Sequence, residues 1–318
     1  MRTTRSTKPT KAGKPGRGKN KRPSAPASLR RTLRRETART VGLLVDTEDF
    51  ATMGSRYPGF AFDDHPAYLH QVESLLKALA AEGGHTTVGL FDPEEYADYC
   101  TDTGLDPDSP ASRSRYTAEM IATGARVAYT GQPMSELVPI LVDTAVRQAT
   151  QEYAGLLLAD AGECAECGKH IGRAAYTRAV LLLQRLLEAA GPGTHHLVCS
   201  IPAADETLLA VLHTETRAAQ PVPLAAGGPG AEFVTVLAAG IALQGPGGLV
   251  LRTLRPGARD RLHGWRLDHG SLQPLTEAEV FNAYCTDAET GEPLAPEPHV
   301  DYRAGFDVSP ETPWPDHH

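Results

Sequence analysis

The chain has 318 residues, of which 41% are hydrophobic, 22% charged and 6% aromatic. That length and composition exclude a mini-scaffold and a wholly disordered chain, and they require an aliphatic, alanine-rich core in one large domain or two smaller ones. The net charge of -8 hides a split: residues 1–40 hold fourteen Lys and Arg against one acid, Glu36, which leaves 17 basic and 38 acidic residues for the rest.

A basic arm on an acidic body is drawn to an external polyanion, either nucleic acid or an acidic protein surface, or back onto the body itself. Five cysteines, an odd number over a long chain, fit a reducing compartment better than a disulfide framework, so a cytoplasmic location is expected. No run approaches 18 uncharged apolar residues and the basic N-terminus lacks the apolar stretch of a secretory signal, so no membrane partner is expected.

In chain order, residues 1–28 are so rich in Lys, Arg, Pro, Gly and Ser that burial cannot offset the entropy of ordering, and 1–40 reads as a disordered basic tail. VGLLVD (41–46) reads as a buried strand and TTVGLFD (86–92) as a second. Between them HPAYLHQVESLLKALAAEGG (65–84) puts Leu69, Val72, Leu75, Leu76 and Leu79 at helical spacing and stops at Gly83 and Gly84. Strand, helix, strand is the signature of a parallel pair. A helical RSRYTAEMIATG (113–124) precedes a third strand, ARVAYT (125–130).

A long helix from Ser135 to about Ala161 aligns Val138, Val142, Ala145, Ala149, Tyr153 and Leu156 on one stripe. A second, AAYTRAVLLLQRLLEAAGPG (174–193), turns Tyr176, Val180, Leu183 and Leu187 inward and ends at Gly191. The pattern then changes to short β-like runs at 195–202, 207–214, 247–254 and 264–269, with FVTVLAAGIAL (233–243) of ambiguous type. One late helix, TEAEVFNAYC (276–285), carries a capping box in Thr276 and Glu279. The expected organisation is therefore a tail (1–40), an α/β domain with a parallel-type sheet and flanking helices (41–192), a mixed α+β portion (193–292) and a Pro-rich tail (293–318).

Two stretches carry candidate chemistry. GECAECGKHIGR (162–173) is half of a zinc knuckle, with Gly168 placed to take the positive φ such a turn requires. A closed structural zinc site needs four ligands at ~2.0–2.3 Å, and Cys164, Cys167 and His170 plus one of His195 or Cys199 supply them. On a strand His195 and Cys199 share a face about 13 Å apart, while His196 points away. A redox pair and a plain interhelical turn are the competing readings.

The other stretch is acidic. Asp46, Glu48 and Asp49 after the first strand and Asp92 after the second stand where open α/β sheets bind ligands, and such carboxylates hold Mg²⁺ in phosphoester hydrolysis. LLVDTEDF (43–50) resembles the first strand of PIN-like and NYN-like nucleases, and over those eight residues the resemblance implies a metal-binding Asp46. The order Asp92, Pro93, Glu94, Glu95 is also that of a capped helix start. Asp143, four before Arg147, reads as an i,i+4 ion pair. The Gly-rich GGPG (227–230) and GPGG (245–248) have neither P-loop nor dinucleotide spacing.

These residues point first to a non-enzymatic binding or accessory protein whose arm contacts nucleic acid or an acidic partner and whose knuckle is structural, with zinc as its metal. The alternative is a metal-dependent phosphoesterase or nuclease built on Asp46, Glu48, Asp49 and Asp92, with Mg²⁺.

Overall fold

The computed structural model describes residues 39–165, 167–204, 206–217, 229–287 and 290–308. The expected basic tail up to residue 38 and the last ten residues of the expected Pro-rich tail lie outside them.

The first part of the chain runs β1 (Arg39–Leu43), α1 (Thr47–Arg56), α2 (His65–Ala81), β2 (Thr86–Leu90), α3 (Pro93–Thr103), α4 (Pro110–Tyr116), a π-helical turn (Thr117–Ile121) and β3 (Arg126–Ala128). The helix starts follow from side chains that accept otherwise unpartnered N–H groups. Asp46, Asp64, Asp92 and Ser109 cap α1 to α4 in turn, each cap stabilising by ~1 kcal/mol. β1 and β2 pair in parallel with Gly42 opposite Gly89, as the strand–helix–strand pattern implies, but β3 runs antiparallel to β2. The sheet is thus mixed, because a three-residue strand carries no directional signal in its hydrophobic pattern.

Two helices follow, α5 (Met134–Asp160) and α6 (Ile171–Ala190), then β4 (Gly193–Pro202), β5 (Thr207–Thr216), α7 (Pro229–Leu243), β6 (Gly247–Leu254), β7 (Asp260–Asp268), β8 (Ser271–Pro274), α8 (Glu277–Tyr284) and β9 (Val300–Arg303). The second sheet has the order β5-β4-β6-β7-β8, antiparallel throughout, with β9 added parallel to β7. β9 belongs to the stretch read from sequence as a Pro-rich tail. It docks because Val300 and Val308 bury their side chains and Phe306 packs on Trp265.

FVTVLAAGIAL is helical within α7, and its residues Phe233, Val234, Val236, Leu237, Ala238 and Ala239 are all within 1% of full burial. A helix apolar all round has no stripe to reveal its period. It fills the second core beside Leu183, Leu186, Leu197, Leu251 and Trp265, whereas the first core gathers Leu43, Leu76, Val88, Tyr96, Leu137 and Leu141. α5 contributes to both, through Leu137 and Leu141 at one end and Ala154 at the other.

The expected helix stripes need correction. On α5 Val142 and Leu156 are exposed, while Leu137, Leu141 and Ala154 are buried; on α6 Tyr176 is exposed, and Gly172, Ala175 and Ala179 face inward. The cause is close helix approach: a Cβ on Gly172 would collide with the Leu158 carbonyl of α5, so small residues take the contact that a size-weighted reading gives to large ones. Among the described residues no helix is long and apolar enough to cross a membrane.

Candidate functional site

The parallel strands β1 and β2 end side by side, and α1 and α3 start directly after them. Asp46 Oδ1 accepts from the Glu48 N–H at 2.6 Å, and Asp92 Oδ1 accepts from the N–H groups of Glu94 and Glu95 at 2.7 and 3.1 Å. Both acids are therefore helix caps, as the Asp92-Pro93 order implied for the second of them. Glu94 pairs with Arg56, and Glu95 accepts from the Tyr116 hydroxyl. Asp49 stands in the midst of these groups. Partial burial pushes its carboxyl above the usual range, and the negative charges of Asp92, Asp46, Glu48 and Glu94 push it further. The acids are thus neighbours, yet among the described residues no three His, Cys, Asp or Glu side chains converge as a metal centre requires.

Close to these strand ends lies a cavity of about 170 Å³. Its floor is Gly42 of β1, its apolar walls are Leu44, Met53, Phe60, Tyr68 and Phe91, and its polar side is Arg113, Ser114 and Thr117 where α4 passes into the π turn. Gly42 is required there, because a Cβ would stand 2.7 Å from Ile121 Cδ1 and 3.1 Å from Phe91 Cδ2. The Gly42–Gly89 pair lets Ile121 of the π turn settle onto the sheet.

Side chains from distant segments hold this cavity in shape. The Tyr68 hydroxyl accepts from Leu44 N–H at 3.2 Å, and His65 Nε2 donates to the Leu44 carbonyl at 3.0 Å, which leaves Nδ1 to accept from Thr47. Arg113 donates to the carbonyls of Asp108 and Gly59 at 3.3 and 3.1 Å, clasping the loop that carries Phe60. Those two bonds use two of the five guanidinium N–H groups. Ser114 and Thr117 donate to Pro110 and Arg113 carbonyls, so their oxygen lone pairs remain able to accept.

The knuckle is a closed turn. Cys164 N–H donates to Lys169 O at 2.9 Å, Gly168 N–H to Cys164 O at 2.8 Å and Ile171 N–H to Gly162 O at 2.9 Å, with Gly168 at φ 66° as expected. Cys164 is buried and Cys167 exposed, and His170 caps α6 without a side-chain bond, its Nδ1 buried and unpartnered. The two further ligand candidates are engaged elsewhere. His195 and Cys199 do share the inner face of β4, but His195 Nε2 donates toward Gly191 O at 3.0 Å and Thr216 Oγ1 at 2.7 Å, and its Nδ1 accepts from Thr253 at 3.0 Å. Burial pushes the Cys199 thiol up to about 12, so it stays protonated.

Sequence reading missed the cavity residues, whose types are ordinary and whose positions span 42 to 117. It set His196 aside as facing away from His195 and Cys199, and did not pair it with His213, which lies directly opposite it on β5 with ring centroids 4.3 Å apart. That pairing was accessible, since a four-residue connection between Pro202 and Thr207 sets the register of the whole hairpin.

Residues 28–132 match a family described as a domain of unknown function (DUF8829). The match takes in β1 to β3 and all the cavity residues. No curated protein and no solved structure matches the chain.

Proposed function

We propose that this chain is a binding protein whose strand-end cavity takes one flat, largely apolar molecule carrying a single anionic group. The observation that carries the reading is the sorting of the cavity wall: aromatic and aliphatic side chains on a glycine floor, with Arg113, Ser114 and Thr117 on one side. A mostly apolar cleft with a few convergent polar groups is the usual form of a small-molecule site. The anion belongs beside Arg113, whose spare N–H groups favour a carboxylate or sulfonate. A polyphosphate is disfavoured by the negative charge of Asp46 and Asp92, which follow closely after the wall residues Leu44 and Phe91 in the chain.

On this reading Asp46 and Asp92 serve as helix caps and, with the neighbouring acids, as a charge filter, in place of the Mg²⁺-dependent chemistry of the alternative. The basic arm, with its attraction to nucleic acid or an acidic partner, is a separate element of the same binding role.

The test is titration calorimetry with indole-3-acetate and benzoate, with benzamidine as the cationic comparator. Saturable binding of the two anions and none of benzamidine is expected. Arg113→Gln, which removes the guanidinium beside the anion, and Ser114→Leu, at an exposed position on the polar side, should each weaken binding at least tenfold. Equal affinity in both variants, or no binding of either anion, overturns the proposal.

A further inference from the structure

The second sheet carries a different site. β4 and β5 form a ten-residue antiparallel hairpin, and the residues of β4 alternate strictly between the core and the opposite face. His195, Leu197, Cys199 and Ile201 point into the core with α6 and α7, which leaves His196, Val198 and Ser200 on the other side. His196 meets His213 there, and the next residue in the row, on β6, is Arg252.

Directly opposed residues on one face of an antiparallel pair have Cβ atoms ~4.5–5.5 Å apart. Here the two imidazoles stand at 4.3 Å between centroids and 83° between planes. Among the described residues the two rings meet edge to face and neither has a hydrogen bond to the protein, in contrast to His195 one residue away, whose two nitrogens are both engaged. Two imidazoles held this close on adjacent strands stand near enough to share an ion bonded at ~2.0–2.1 Å.

We propose that His196 and His213 form a bis-imidazole site for a first-row transition metal of the Cu²⁺, Ni²⁺ or Zn²⁺ type, with its remaining positions open to water or to an exogenous donor. Imidazole nitrogen suits these ions and not Mg²⁺ or Ca²⁺. The charge around the pair is compatible with a cation. Arg252 is held by Asp260 at 2.7 Å and Glu297 at 2.8 Å, so that cation is more than balanced, while Glu215, two residues beyond His213 on the same face, is paired with Arg217 at 3.4 Å.

The experiment uses the untagged full chain bearing Cys164→Ser and Cys167→Ser, so that the knuckle contributes no thiolate. Cu²⁺ is titrated by calorimetry, and the one-equivalent complex is read by electron paramagnetic resonance. Nitrogen hyperfine structure from two imidazoles is expected, together with at least tenfold weaker binding in His196→Ala and in His213→Ala. His213 is exposed, so its variant tests the site even if His196→Ala fails to fold. The proposal is overturned if His213→Ala binds Cu²⁺ as tightly as its parent, or if the spectrum shows no nitrogen from imidazole.

Discussion

Both ring nitrogens of His195 are engaged inside the protein, with Thr253, Thr216 and the Gly191 carbonyl, at a position with no exposure to solvent. Burial there opposes the charged ring and lowers its pKa from the ordinary value of 6.5. The folded protein therefore resists a proton that the unfolded chain takes up as pH falls through ~6.5. Stability is fullest above that pH and declines with acid until the lowered folded-state value is reached. His196 and His263 are shifted the same way, chiefly by burial, and steepen the decline. Urea unfolding from pH 8 to pH 5 reads this directly. His195→Gln should lose ~1–3 kcal/mol at pH 8, because Thr253 and Thr216 are left poorly matched, and should show a shallower pH slope. An unchanged slope would remove His195 from the account. The shared face of His195 and Cys199 was legible from strand alternation. The partners that saturate His195 were not, since Thr216 and Thr253 are 21 and 58 residues away.

At the scale of elements, the repeated Val-Gly-Leu of β1 and β2 marks where the π turn approaches the sheet. Val41, Gly42 and Leu43 pair in register with Val88, Gly89 and Leu90, and a Cβ on Gly89 would overlap Ile121 Cγ2. Gly89→Ala is expected to cost ~1–3 kcal/mol by overpacking. Ile121→Ala should cost about as much alone by opening a cavity, and the double variant should be more stable than the sum of the two losses implies. Strict additivity in thermal or urea unfolding would show that the contact is not what selects glycine. Both strands and the helices between them were readable from periodicity, but the need for two facing glycines depends on an element 32 residues beyond Gly89. The same holds for Arg147. Its i,i+4 partner Asp143 stands at 3.9 Å, whereas Glu232 of α7, only 4% exposed, holds it at 2.6 Å. A buried carboxylate gains more from a guanidinium than an exposed one does, so the long-range pair dominates the local one.

For the whole molecule the governing quantity is charge distribution. Thirteen of the 31 Lys and Arg precede residue 39, while the remainder is strongly acidic. A polyanion bound through such an arm releases counterions, so its affinity falls steeply with salt. We expect the full chain to bind a single-stranded oligonucleotide at about 50 mM salt, and deletion of residues 1–38 to flatten the salt dependence toward zero. No binding by the full chain under those conditions, or an unaltered slope after deletion, would assign the arm to its own acidic body.

By itself the sequence determined the local elements: capped helix starts at Asp92 and Thr276, the two Val-Gly-Leu strands, and the turn through Gly168, all encoded by near neighbours along the chain. It also determined the charge split, which is a matter of counting. Only the tertiary structure decided that β3 runs antiparallel, that small residues face the α5–α6 contact, that the residues from Gly42 to Thr117 enclose one cavity, and that His196 meets His213. Caps, turns and periodicity are short-range and appear in composition and spacing. Cavities, cross-strand pairs and buried ion pairs arise where distant segments pack, and their energies depend on a burial that no single stretch of sequence displays.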